Sequence, residues 1–380
     1  MKYRLLDLLQ PISYTGHLHV IPKLVEKVSF ADTLHNVKCD RYCAFKNCMI
    51  KPGAVSPTDC NECYTNEIID GELEEESGKR YPIINGIPRI FSGEMSDFLE
   101  KNKATFSLEW KMFQFGQRNW GQDIEFRRQL FLKGMGVNKE SLKNKLIVDA
   151  GCGSGLLSMS MADDFGMEVL ALDLGTGIEK AYEHNTNPYV YFVQGSVLEP
   201  PIQDNVADFL YCAGVLIHLP DTKMGFQVLP RILKDAGRYF IWVYHPIDKQ
   251  HHPDDLLKMK FYKWIRDNLT SPLPIKAQYM IYLTWTVLFV IKQKIFNIFA
   301  VTKDDRTWQE KMQDFVDMFS PIYQHRHTEE EVLAWYEELG FMNVDLSYQE
   351  KYGFGARGDK PEQVNASIPL ASNTSSLKCG

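Results

Sequence analysis

"VDAGCGSG", Val148 to Gly155, follows the apolar stretch "LKNKLI" and decides how the rest of the chain is read. Three glycines alternate with Cys152 and Ser154, behind an acid, Asp149, that closes an apolar run. Glycine lets other groups approach the backbone closely, so this spacing after a strand predicts a ligand laid against bare main chain. Downstream the pattern repeats as strand, turn and helix: "KLIVDA" and "GLLSMSMADDF", then "EVLALD" and "GIEKAYEHN". "YVYFVQG", "ADFLYCAG" and "GRYFIWVYH" supply three more strands, and "KMGFQVLPRILKDA" a helix interrupted near Pro230. Continuous apolar strands alternating with helices predict a parallel sheet covered on both faces.

Two ligand classes compete for the glycine turn. A dinucleotide site wants G-x-G-x-x-G, its third glycine allowing close helix packing and its helix N-terminus facing a pyrophosphate. Here the spacing is G-x-G-x-G, with Leu156 at the third place. Asp149 would also repel a diphosphate. A carboxylate there suits a ligand with an ammonium group, and S-adenosylmethionine carries an ammonium, a sulfonium and no phosphate. The second strand ends in Asp173, placed to accept both hydroxyls of a ribose.

With these residues the chain resembles the class I S-adenosylmethionine-dependent methyltransferases, strongly over 145–245 and weakly over 328–360. The resemblance implies a Rossmann-like seven-stranded sheet with helices on both faces. It places Asp149, Gly151, Cys152, Gly153 and Gly155 at the methionine end of the cofactor and Asp173 at its ribose. The loop after the third strand, "VQGSVLEPP", carries an acid for the adenine in that family. Ser196 stands there instead, leaving adenine to its hydroxyl and to the Val197 backbone. "CAGVLIHLPD" resembles the segment beneath the methionine, which puts Cys212 to Gly214 near the donor and reads His218 as a packing residue.

Composition bounds the class. The chain has 380 residues, 44% of them apolar and 24% charged, with a formal charge of −7. Net acidity argues against bulk nucleic-acid binding, which depends on phosphate neutralisation by Lys and Arg. "MKYRLLDLLQ" has too short an apolar core for a secretory leader, so the expected location is cytoplasmic.

Five of the eight cysteines, Cys39, Cys43, Cys48, Cys60 and Cys63, crowd one segment. In an intracellular chain such crowding predicts metal binding rather than disulfides. The flanking runs "LLDLLQPISYTGHL" and "YPIINGIPRIF" resemble the two ends of a small zinc-ribbon family whose members activate or are fused to methyltransferases. The chain departs from that family at both expected cysteine pairs, where Gln10 to Ser13 and "EEESG" stand. An insertion supplies "CDRYCAFKNC" and "CNEC" instead, so a structural zinc is expected on Cys39, Cys43, Cys60 and Cys63, with Cys48 able to replace either member of the first pair.

The expected organisation is a ribbon-like module over 1–95, a helical linker over 96–144, a core over 145–246 and 321–360, a helical lid over 247–320 and a disordered tail over 361–380. Thr328 and Glu331 form a capping-box pattern. Methyl transfer needs an aligned acceptor and excluded water more than reactive groups. An oxygen or nitrogen acceptor still benefits from a base, and His245, His325 and His327 are the candidates. The apolar run Tyr279 to Ile291 falls short of a bilayer span of about 20 residues. It reads as a lid over the acceptor, an interfacial helix contacting membrane or a lipid-linked substrate, or a dimer contact. The function expected is methyl transfer to a small biosynthetic metabolite, glycan- or lipid-linked included, at an O, N or C atom. The alternatives are a tRNA-base methyltransferase and a non-catalytic cofactor-binding activator.

Overall fold

A computed structural model describes the chain except residues 14–15, 30–41, 44, 46–47, 50–61, 94–95, 114–117, 119–121, 297–305 and 363–380. Its N-terminal part is built on β1 (His19–Lys27), whose side chains are largely exposed. A short hairpin follows, β2 (Tyr42–Cys43) against β3 (Cys48–Met49), then α1 (Glu62–Thr65), β4 (Asn66–Glu74), β5 (Arg80–Ile84) and β6 (Ile87–Pro88). Strands β1-β4-β5-β6 form an antiparallel sheet in that order. Two isolated bridges, Arg89 to Gln194 and Leu9 to Ile202, tie the N-terminal residues to the chain beyond residue 190. Leu5, Leu9, Tyr64 and Ile68 share one apolar core with Val148, Leu170 and Val193. The first 95 residues therefore pack as a wing of the main body.

The expected zinc ligands fall mostly outside what is described. Cys39 and Cys60 belong to segments not described, and Cys43 is described only as backbone, paired with Cys48. Cys63 is a buried free thiol of α1, in contact with the apolar core.

Two helices lead into the main sheet. Ser96 caps α2 (Asp97–Met112) and Asp123 caps α3 (Ile124–Met135), each accepting from the main chain three residues on. Gly136, at φ 61°, ends α3 in the left-handed conformation that glycine adopts without a Cβ penalty. The sheet comprises β7 (Leu146–Ala150), β8 (Glu168–Asp173), β9 (Val190–Gln194), β10 (Ala207–Ala213), β11 (Leu233–Tyr244), β12 (Met342–Gln349) and β13 (Gly353–Asp359). Its order is β12-β13-β11-β10-β7-β8-β9. Strands β7 to β11 run parallel and β13 lies antiparallel to both neighbours. This is the expected seven-stranded Rossmann-like sheet. α4 (Leu156–Phe165) and α5 (Gly177–His184) follow β7 and β8. β7, β8 and β9 are buried along their whole length, which is why they read as apolar runs without alternation.

Pro230 ends α6 (Thr222–Val228) sooner than the sequence suggested. Leu229–Ile232 continues as a 3-10 turn, and "LKDA" belongs to β11. The lid region folds as α7 (Leu256–Ile265), α8 (Ile275–Phe296) and α9 (Trp308–Phe319) around a separate apolar cluster of Tyr282, Met312, Val316 and Phe319. α10 (Glu329–Glu338) is capped by Thr328, but the Glu331 carboxylate turns to His327, so only half of the expected capping box forms. The complete box stands at Thr307 and Glu310, at the start of α9.

Candidate functional site

The carboxyl ends of β7, β8, β10 and β11 open into a cavity of about 690 Å³, roofed by α2, α7 and α9. That volume lies within the range of small-molecule sites, roughly 300–1,000 Å³. Gly151 and Gly153 form its floor with φ of 88° and 57°. A Cβ at Gly151 would lie 2.2 Å from Val215, and one at Gly153 would lie 2.4 Å from the Trp110 indole. Bare backbone is required so that Val215 and Trp110, both cavity residues, can close on the loop.

Asp173, at the end of β8, ties this loop together. Its Oδ2 accepts from the Gly153 N–H at 2.8 Å and its Oδ1 from the Gly175 N–H at 2.6 Å. Burial pushes its carboxyl up, and the backbone donors at Gly153, Gly175 and Leu174 oppose that. Six of the nine expected cofactor residues line the cavity: Gly151, Cys152, Gly153, Asp173, Ser196 and Val197. The Ser196 hydroxyl also accepts from the Leu198 N–H at 3.1 Å.

Three do not reach the wall, for physical reasons. Asp149 is 4% exposed inside β7, where it accepts from the Ser158 hydroxyl of α4. Burial pushes its carboxyl up to about 6, against the bond from Ser158 and the charge of Arg127. Gly155, at φ 66°, faces the sheet, and a Cβ there would lie 2.6 Å from Ala181 and 2.8 Å from Phe192. Cys212 points to the opposite face of β10 from Tyr211 and Ala213, as strand alternation requires, and is fully buried in the core. Ala213, Gly214 and Val215 line the cavity in its place.

The three histidines expected as bases are also off the wall. His325 Nε2 donates to the Leu219 carbonyl at 2.9 Å, and His327 joins Thr222 and Glu331 at the start of α10. His245 is buried beneath the β11 loop. His218, read as a packing residue, is the histidine that lines the cavity. Burial pushes it down to about 4, so it is neutral, and its Nδ1–H donates to the Tyr323 carbonyl.

Among the titratable groups on the α2 and α9 side of the cavity are acids that the sequence reading did not single out, Glu109, Asp314 and Asp317, beside the cations Arg266, Arg306 and Arg326. Asp317 of α9 accepts from the Tyr244 hydroxyl, and burial with the nearby Asp314 carboxylate pushes it up to about 7. Glu109 of α2 is 1% exposed and its Oε1 has no hydrogen-bond partner. Burial and the charges of Asp317, Asp173 and Asp314 hold its carboxyl well above the usual range. Arg306 is paired with Asp314, and the Arg266 charge opposes the rise at Asp317. An orphaned buried carboxylate oxygen among further acids, above a glycine floor, fits a ligand with ammonium and sulfonium charges. The signal was present in the sequence: Asp314 and Asp317 stand three apart in "KMQDFVDMF", on one helix face, and Glu109 sits among the aromatics of "FSLEWKMF".

The α8 run expected to cover the acceptor contributes no cavity residue among those described. It packs behind α9, with Trp285 against Phe315 and Phe319. No helix of the described residues is long and apolar enough to cross a membrane.

Comparison with known proteins bears on residues 148–241, which match the family described as "Methyltransferase domain". The ubiquinone biosynthesis O-methyltransferase of Pectobacterium carotovorum is 27% identical over 139 residues, 34% of this chain and 58% of that protein. The 2-phytyl-1,4-naphtoquinone methyltransferase of Trichormus variabilis is 26% identical over 33% of this chain and 56% of that protein. The chain thus spans a little over half the length of these curated relatives. Among solved structures, the magnesium protoporphyrin IX methyltransferase of Synechocystis with bound SAH has a TM-score of 0.42 and 16% identity, over 70% of this chain and all of that one.

Proposed function

We propose that this chain, which carries a methyltransferase domain of the class I fold, transfers the methyl group of S-adenosylmethionine to a hydroxyl or amine of a small biosynthetic metabolite. The observation that carries the reading is the placement of Asp317, bonded to Tyr244 and pushed up to about 7, on the same cavity wall as the glycine floor. The donor supplies a methyl group on a sulfonium. Gly151 and Gly153 hold its methionine end by backbone, Asp173 accepts from its ribose, and Ser196 with Val197 meets the adenine. Trp110 and Phe106 exclude water from one side. The acceptor oxygen or nitrogen bonds to the methyl carbon as the carbon–sulfur bond breaks, with its electrons left on sulfur. The acceptor proton passes to Asp317, directly or through the Tyr244 hydroxyl. A carboxylate with a pKa near the working pH is suited to that task.

The relatives named for quinone intermediates support a small acceptor. A lipid-linked acceptor agrees with Phe261 and Trp264, exposed and stacked on α7 beside Lys260 and Lys263. A structural zinc on Cys39, Cys43, Cys60 and Cys63 and a cytoplasmic location belong to the same proposal. The tRNA alternative is disfavoured by the formal charge of −7.

The test is the pH dependence of labelled methyl transfer. The wild-type rate should rise through a pKa near 7 to a plateau as Asp317 loses its proton. Asp317→Asn should lower the rate by about 10²–10⁴-fold with donor affinity unchanged. An unchanged rate and profile in Asp317→Asn would remove the base assignment. Labelling of bulk tRNA, with none of small-molecule extracts, would replace the acceptor class.

A further inference from the structure

A second polar cluster lies outside the cavity lining, where the loop after β11 meets the start of α10. His245, directly after β11, His251 in the following loop and Glu329 in the first turn of α10 each offer one ligand atom, and these atoms all lie within 4.8 Å of one another. His245 is 4% exposed, and its Nδ1 has no hydrogen-bond partner. His251 Nδ1 donates to Asp248 Oδ1 at 2.8 Å, which fixes its tautomer and leaves Nε2 with a lone pair. A carboxylate behind a histidine in this way is the outer partner that metal-bound imidazoles commonly have. The Glu329 carboxylate is oriented by Gln349, whose amide donates to its Oε1 at 2.6 Å. The two rings are stacked with centroids 4.4 Å apart.

From this cluster we infer a binding site for a divalent transition metal of the zinc class, held by His245 Nδ1, His251 Nε2 and the Glu329 carboxylate. Nitrogen and oxygen ligands about 2.0–2.2 Å from zinc lie roughly 3.4 Å apart, so side-chain rotation of about 1 Å closes the set. The fourth position is left to water. His252, next in the chain, faces Tyr352 and Asp255 and takes no part.

The metal joins the β11 loop to the start of α10. That loop supports the acceptor end of the cavity: the His245 N–H donates to the Tyr352 carbonyl, and Arg326 donates to the His245 carbonyl. Tyr352, Arg326 and Ile247 all line the cavity. The site is a positioning device for that wall, and its nitrogen and oxygen ligands differ from the thiols of the cysteine segment.

The test uses the full chain, stripped with chelator, reloaded with Zn²⁺ and dialysed. Bound metal is counted by elemental analysis, and its neighbours are read by X-ray absorption. Wild type is compared with His251→Ala and Glu329→Gln, whose side chains are partly exposed, and with Cys43→Ser/Cys60→Ser, which disables the cysteine set. The expected result is loss of one zinc per chain from each of the first two variants. The cysteine variant should keep one zinc with a shell of nitrogen and oxygen only, and Zn²⁺ should raise its melting temperature. Equal zinc in wild type, His251→Ala and Glu329→Gln would overturn the site. So would zinc bound through sulfur alone, or no zinc bound. None of these readouts depends on methyl transfer.

Discussion

Asp149 and Gly155 both stand in the motif that revealed the fold, and both lie behind the cavity lining. Gly155 takes up the helix-packing task that a dinucleotide loop gives to its third glycine, here against Ala181 and Phe192. Asp149 joins β7 to α4 through Ser158. Its carboxyl is raised from 3.8 to about 6 by burial, so the native state binds a proton more tightly than the unfolded chain. Stability from this group is full below about pH 4 and falls as pH rises to about 6, by about 3 kcal/mol. Asp149→Asn keeps an acceptor for Ser158 and removes the charge. It should melt higher than wild type at pH 8, with the gain fading towards pH 4. A difference independent of pH would show that the burial cost lies elsewhere. The spacing of the motif was legible in the sequence. Which glycine meets ligand and which meets helix was not, because that depends on where α5 and β9 pack.

At the scale of elements, α8 shows the same limit. Its apolar run was plain in the sequence, but its partner was not. α9 lies between it and the cavity, and α9 carries Asp317. Trp285 rests on Phe315 and Phe319, while Leu288, 59% exposed, lies on the outer side. Trp285→Asp would put a charge against α9 at a cost of several kcal/mol, lowering both the melting temperature and methyl transfer. Leu288→Glu should leave the melt unchanged. If the outer face meets lipid, Leu288→Glu should also weaken co-sedimentation with anionic liposomes that the wild type shows. Wild-type protein that stays in the supernatant would leave that face without a lipid role. His325 and His327 stand off the cavity lining for a related reason: they lie in a loop, where tertiary contacts decide what a side chain meets.

Across the described residues, the two larger sheets pack as one body. Arg4, 6% exposed, makes a double hydrogen bond to Glu168 at the start of β8, and Tyr191 donates to the same carboxylate. This buried pair and the shared apolar core hold the N-terminal sheet beside β9. The resemblance to a zinc ribbon pointed to a ribbon-like module over 1–95; sequence shows where cysteines cluster and not which leucines face the neighbouring sheet. The large sheet was legible because five parallel strands carry their burial in composition, and the cavity was not, because α2, α7 and α9 contribute to it from distant stretches. The proposed donor site rests on the cavity that these elements form among the described residues. Isothermal titration of the full chain with S-adenosylmethionine, with NAD as control, tests that claim most directly. The account predicts a single saturable site for S-adenosylmethionine, lost or strongly weakened in Asp173→Ala, and no heat with NAD. Binding of NAD with none of S-adenosylmethionine would contradict it.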